Sequence, residues 1–226
     1  MLSRYRWYKI QLPKTKIDLL QLITQQPLTQ DQSFGFSVLE NSISDVKYRF
    51  FWRTKVVITR FDEAGEPIYE QIESVNFTDF AIIPMDEVTL LRVENPTKSV
   101  RALLNALEFI IGFGFTCKPL TFERSRPTKI FESVDSAKLI SLKVLGAVVD
   151  EDLVARMEFV SKQGMELGRI QLLHGLSYKI DYAVFELVSE GVRGQIAFAS
   201  SGLVKISGQL SPKLLALVES DLYALS

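Results

Sequence analysis

The chain has 226 residues, 47% of them apolar, and a net charge of −1. That is enough apolar material for a sizeable core, which excludes a disordered chain, and the charge balance excludes a surface that is basic all over. A single cysteine, Cys117, excludes an intramolecular disulfide and fits a reducing compartment. The longest apolar stretch, 106–115, is short and contains Glu108, and no signal-peptide core follows the first residues. These features predict a soluble cytoplasmic protein with no membrane partner.

In chain order, Ser3–Leu12 alternates aromatics and cations and predicts a strand, ended by Pro13. Thr15–Gln25 has helical spacing, with Thr15 as its N-cap. A short strand over Ser33–Leu39 follows, then a long one over Val46–Phe61. Asp62–Pro67 is a turn by composition, and Ile68–Phe77 runs back, so 46–77 predicts a long hairpin. With Asp62 opposite Pro67, Arg53 faces Asn76 and Lys55 faces Ser74. A shift of one residue brings Glu73 up instead, and the sequence leaves this open. Phe80–Ile83 and Val88–Val93 predict two more short strands.

Asn95-Pro96 has the N-cap and N1 signature of a helix, with Val100, Leu103, Leu104, Leu107, Ile110 and Ile111 as its buried stripe and Gly112 as its stop. Phe113–Phe122 predicts a strand and Glu123–Asp135 a loop. Lys138–Val149 predicts a strand with a bulge at Gly146. Leu153–Val160 fits strand or helix equally, and Met165–His174 a short helix. Strands over Tyr178–Val188, Arg193–Ala199 and Leu203–Ser207 precede a last helix opened by Ser211-Pro212.

Charge is segregated. Residues 1–17 and 46–60 hold five cations each and no acid, whereas 62–94 holds nine acids and one cation, Arg92. Within the long strand, period-two alternation places Tyr48, Phe50, Trp52, Val56 and Ile58 on a core face and Lys47, Arg49, Phe51, Arg53 and Lys55 on the other. Cations around an aromatic on a rigid strand can hold phosphates and stack a base. Arg4 and Arg6, alternating with Tyr5 and Trp7, extend this surface if the first strand is its neighbour. An ordinary solvated face, or a protein interface anchored by Arg and aromatics, fits the same pattern.

No nucleophile-elbow, P-loop or dinucleotide motif occurs, and one His with one Cys cannot build a Cys/His zinc site. His174 reads as a packed or helix-terminal residue. Asp150-Glu151-Asp152 reads as a solvated turn, since adjacent carboxylates diverge. The sequence thus predicts no catalytic residues, no metal and no cofactor.

The two proline-capped helices lie about half a chain apart, each after a short strand. They predict an α+β fold of antiparallel sheets covered by helices on one face, in two structurally similar halves, 1–112 and 113–226, or one continuous domain. The segment Phe198-Ala199-Ser200-Ser201-Gly202-Leu203-Val204-Lys205-Ile206-Ser207-Gly208, followed by a helix, resembles the hairpin that ends each repeat of the TATA-binding-protein family. It has one extra residue before the turn, and Ser207 stands where the family has Thr. The resemblance implies DNA-contacting roles for Phe198, Val204 and Ser207, with Phe198 as a minor-groove wedge. The first half has no matching hairpin. The expectation is a non-catalytic binding subunit of a larger assembly, contacting nucleic acid through a basic, aromatic sheet face. The alternative is a protein–protein assembly subunit, with a protein partner or a second copy.

Overall fold

The computed structural model describes residues 2–13, 18–41, 46–85, 88–97, 99–122, 129–151 and 153–225. Eleven strands are β1 (Leu2–Gln11), β2 (Phe34–Asn41), β3 (Val46–Phe61), β4 (Pro67–Pro84), β5 (Thr89–Glu94), β6 (Thr116–Pro119), β7 (Ser136–Asp150), β8 (Leu153–Met165), β9 (Lys179–Ser189), β10 (Val192–Ala199) and β11 (Leu203–Gly208). The α-helices among these residues are α1 (Leu19–Thr24), α2 (Arg101–Ile111), α3 (Lys129–Glu132) and α4 (Ser211–Leu225). The chain forms two compact units. Unit 1 comprises Met1–Lys9, Met85–Val88 and Lys118–Ser226; unit 2 comprises Ile10–Pro84 and Thr89–Cys117.

The expected helix-covered α+β fold is not what forms. Strand accounts for 56% of the structure and helix for 19%, in short pieces. The physical reason is strand length. The β3–β4 hairpin runs 16 and 18 residues and β7–β8 runs 15 and 13, while the longest helix has 15 residues and a rise per residue less than half that of a strand.

Unit 2 has the antiparallel order β2-β3-β4-β5. Tyr48, Phe50 and Phe80 are buried on one sheet face with Phe36 from β2, their rings 5.2 to 6.1 Å apart. Ile23 of α1 and Leu103, Leu107 and Ile111 of α2 are also buried. Leu104, expected in the same stripe, is half-buried. Helix α2 starts at Arg101 rather than after Asn95-Pro96. Asn95 takes a left-handed φ of 44°, and the Ser99 hydroxyl instead accepts from the Arg101 amide. Gly112, at φ 84°, stops the helix as expected. The N-cap of α1 is Asp18, which accepts from the Gln21 amide; Thr15 lies outside the described residues.

Unit 1 has the order β8-β7-β9-β10-β11-β1, all antiparallel. Ile196 and Phe198 of β10 and Val204 and Ile206 of β11 are buried, as are Leu214, Val218 and Leu222 of α4. Trp7 is fully buried, and its indole N–H donates to Glu219 of α4 at 3.1 Å. Gly146, at φ 65°, sits where the β7–β8 register shifts between Val144 and Ala147, which is the expected bulge.

Four local expectations fail. The hairpin arm expected over Ile68–Phe77 and the short strand expected over Phe80–Ile83 are one strand, β4, because the polar Thr78-Asp79 step is a strand residue pair facing β3 and β5 rather than a turn. The strand expected over 113–122 reduces to Thr116–Pro119, since Gly112 and Gly114 both hold positive φ. The helix expected at 165–174 is the end of β8 and two single 3-10 turns. Helix α3 forms within the loop expected over 123–135, of which 123–128 lie outside the described residues.

Candidate nucleic-acid interface

The cationic stripe of β3 forms as an alternating face. Its neighbours are the acids of β4 and β5. The hairpin register pairs Phe61 with Pro67, and so Lys55 with Glu73, Arg53 with Val75, Phe51 with Phe77 and Arg49 with Asp79. Arg49 makes a bidentate contact with Asp79, at 2.6 and 2.8 Å, and lies 4.2 Å over the Phe77 ring. The hydrogen bond to Asp79 pushes the Arg49 pKa up, so the guanidinium is held more firmly protonated. Arg53 reaches Glu73 at 2.9 Å and also donates to the carbonyls of Thr29 and Gln32, fastening that loop to the sheet. Lys47 lies 4.0 Å from Glu94, which Arg92 also contacts at 3.0 Å. Phe51 is half-buried between Gly35 and Phe77 of the flanking strands, and Trp52 on the opposite face is half-buried as well. Lys55 is exposed. Three of the four cations thus close charge pairs inside unit 2.

Arg4 and Arg6 belong to unit 1, where the sheet presents a second cationic face. Antiparallel registers align Arg4 of β1, Lys205 of β11, Ala197 of β10, Val184 of β9 and Ser141 of β7 in one row. A flanking row runs Leu2, Ser207, Gln195, Glu186 and Lys138. On the other flank Ala199 pairs with Tyr182 and Tyr182 with Lys143, while Arg6 pairs with Leu203. All these side chains share the face opposite Phe198, Val204 and α4, because direct partners in an antiparallel ladder point the same way. They comprise five cations and one acid, Glu186, and β8 adds a second acid to the face, Glu158, directly opposite Lys143.

The cations of this face fall on two rims. Arg4, Arg6 and Lys205 stand on β1 and β11, and Lys138 and Lys143 on β7. Between them the floor holds Ala197, Ala199, Val184 and Tyr182, with the polar Gln195 and Glu186 at one end. β1 and β7 are four strand spacings apart, roughly 19 Å at about 4.8 Å each. Among the described residues, Lys138, Lys143 and Lys205 make no ion pair. The Lys205 ammonium lies 5.0 Å from the Tyr182 ring centroid. Arg6 donates to the Ser201 carbonyl at 3.0 Å, and among the described residues its buried Nε has no hydrogen-bond partner.

Sequence reading found Arg4 and Arg6 but missed Lys138, Lys143, Tyr182 and Lys205. The single signal available was the outward position of Lys205 in an alternating strand. The remaining three come from strands whose register shifts between Leu139 and Ser141 and between Lys143 and Val144, so their convergence depends on pairing. Phe198, the residue matched to a DNA-wedging aromatic, is 1% exposed and packs against Phe122 and Phe185, so its ring serves the core.

The other chemistry-bearing residues are dispersed. His174 Nε2 lies 2.8 Å from the Gly168 carbonyl on an exposed turn. Burial pushes the Cys117 thiol up to about 11, so it stays protonated near neutrality. Asp150 accepts from the Glu151 amide at a turn, and Asp152 lies outside the described residues. Among the described residues no group of three His, Cys, Asp or Glu could hold a metal ion, and no helix is long and apolar enough to cross a membrane. No protein-family model matches the chain, and no curated protein matches it.

Proposed function

We propose that this chain is a non-catalytic binding subunit that holds nucleic acid on the open sheet face of unit 1, in the reducing, cytoplasmic setting that a single cysteine fits. The observation that carries this reading is the cross-strand assembly of Arg4, Arg6, Lys205, Lys138 and Lys143 around Tyr182, five cations against two acids, Glu186 and Glu158. Two cationic rims flanking Ala197, Ala199, Val184 and Tyr182 suit a polyanion whose phosphates run along the rims and whose bases or sugars meet these residues. The β3 stripe supports the reading less, because acids of its own sheet already occupy Lys47, Arg49 and Arg53.

Binding of labelled single-stranded and duplex DNA and RNA, followed across a salt series, tests this. Each phosphate contact contributes about 0.7–0.9 to the slope of log affinity against log salt. The Lys143→Ala, Lys205→Ala double variant should flatten that slope by about 1.4–1.8. Tyr182→Ala should weaken single-strand binding by about 1–3 kcal/mol if a base stacks there. Absence of binding at low salt, or a slope unmoved by the two lysine changes, refutes the assignment and leaves the protein-partner alternative.

A further inference from the structure

Beyond Arg53, β3 and β4 form a two-stranded ribbon whose outer edges, among the described residues, carry no third strand. β2 ends at Trp52, with one more bond from the Arg53 amide to the Ser33 carbonyl, and β5 takes over on β4 only at Asp79. The Asp62 amide donates to the Glu66 carbonyl, so Asp62 and Glu66 form a hydrogen-bonded rung. Counting along the unbroken register, Tyr69, Gln71, Glu73, Val75 and Phe77 direct their backbone N–H and C=O groups outward. Tyr69, Val75 and Phe77 are 69%, 49% and 54% exposed, and Ile68 and Ile72 are exposed as well. An edge of this length, regular, apolar and without a bulge, is a template for another strand.

We infer that the occupant of this edge is the β4 edge of a second copy, paired antiparallel about a two-fold axis at Ile72. The free edge runs from Pro67, which has no N–H to donate, to Thr78, and its midpoint lies between Ile72 and Glu73. Cross-strand chemistry then selects the centre. A centre at Glu73 sets Glu73 against its own copy, and one at Glu70 does the same with Glu70. A centre at Gln71 sets Tyr69 against Glu73 and Ile72 against Glu70. The centre at Ile72 pairs Ile72 with Ile72, Tyr69 with Val75, Gln71 with Glu73 and Glu70 with Ser74. It opposes no two acids and matches apolar with apolar, the arrangement antiparallel pairs favour. Each pair also keeps its side chains on one face, so the ribbon sheet continues across the axis. This inference is independent of the nucleic-acid reading.

Single cysteines in a Cys117→Ser background test it, with sedimentation of the unmodified chain in the absence of nucleic acid. The unmodified chain should be a dimer whose population rises with concentration. Under mild oxidation Ile72→Cys should form the interchain disulfide fastest, ahead of Gln71→Cys and Glu73→Cys. Val56→Cys, directly opposite Ile72 within the ribbon, should form none. Gln71→Pro removes an outward N–H without touching the β3 ladder, and should give a monomer with an unchanged melting profile. A monomer at every concentration, fastest cross-linking at position 71 or 73, or a folded Gln71→Pro dimer would each overturn the inference.

Discussion

In unit 2, Arg49 lies 2.6 Å from Asp79. In unit 1, Lys205 is placed directly against Arg4, another cation. Both residues occupy outward positions on strands. What separates them is the neighbouring strand. β4 and β5 bring Asp79, Glu73 and Glu94 onto the face of β3, which turns the stripe into an internal charge ladder that fixes register. β1, β10 and β9 bring Arg4, Ala197 and Val184 into the row of Lys205, which leaves positive charge facing outward. A strand's charge therefore acquires meaning only from its row across the sheet, and like charges placed opposite one another are the more informative arrangement because their mutual repulsion opposes folding.

The largest effects test which face is core. Phe50→Ala in unit 2 and Phe198→Ala in unit 1 should each lower unfolding free energy by about 3–5 kcal/mol, because each removes an enclosed ring from an aromatic cluster. Denaturant unfolding measures both. A Phe198→Ala cost near zero would show that this ring is free to act as a wedge, and the open face of unit 1 would have to be reassigned.

Next in size is the charge ladder. Asp79→Ala removes both acceptors of Arg49, and with a quarter to a third of each side chain exposed it should cost about 1–2 kcal/mol. The reference in unit 1 is Glu186→Ala, which should change stability by less than about 0.5 kcal/mol while strengthening nucleic-acid binding. If both substitutions cost the same, the two faces are electrostatically alike and the contrast fails.

A smaller effect separates the ladder from the ribbon tip. Arg60 and Glu70 meet at 3.2 Å with 67% and 47% of their side chains exposed. A double-mutant cycle should give a coupling of about 0.2–1 kcal/mol, largely screened at high salt. The coupling of Arg49 with Asp79 should survive the same salt.

Local chemistry made several of these features legible in the sequence. The alternation of Lys47 to Lys55, the turn at 62–67, the bulge at Gly146 and the stop at Gly112 each depend on residues next to one another. Pairing over distance did not show. Asp79 is 30 residues from Arg49, and a one-residue change of hairpin register decides whether Lys55 meets Glu73 or Ser74. The site in unit 1 draws on residues from position 4 to position 205, aligned by registers that shift twice along β7 and β9. Asn95-Pro96 misled because Asn tolerates the left-handed conformation as readily as it caps a helix, and here its φ is 44°. The fold class failed for a related reason. Helix signatures are local and strong, while the extent of a hairpin is set by partners elsewhere in the chain.

The smallest expected stability effect carries the sharpest functional test. Lys205→Ala removes a cation that faces Arg4 and rests on the Tyr182 ring. Relief of the like-charge pair should return about 0.2–1 kcal/mol, and loss of the ring contact should cost about 0.5–1 kcal/mol. The two nearly cancel, so the unfolding free energy should stay within about 0.5 kcal/mol of the parent's. Nucleic-acid affinity should fall nonetheless, with a salt slope flattened by about 0.7–0.9, one phosphate contact. A core or scaffold lysine would behave in the opposite way, with stability lost and binding affected only through misfolding. If Lys205→Ala destabilises the chain by as much as Asp79→Ala does, then Lys205 is part of the scaffold, and the distinction between a neutralised ladder and an open binding face disappears.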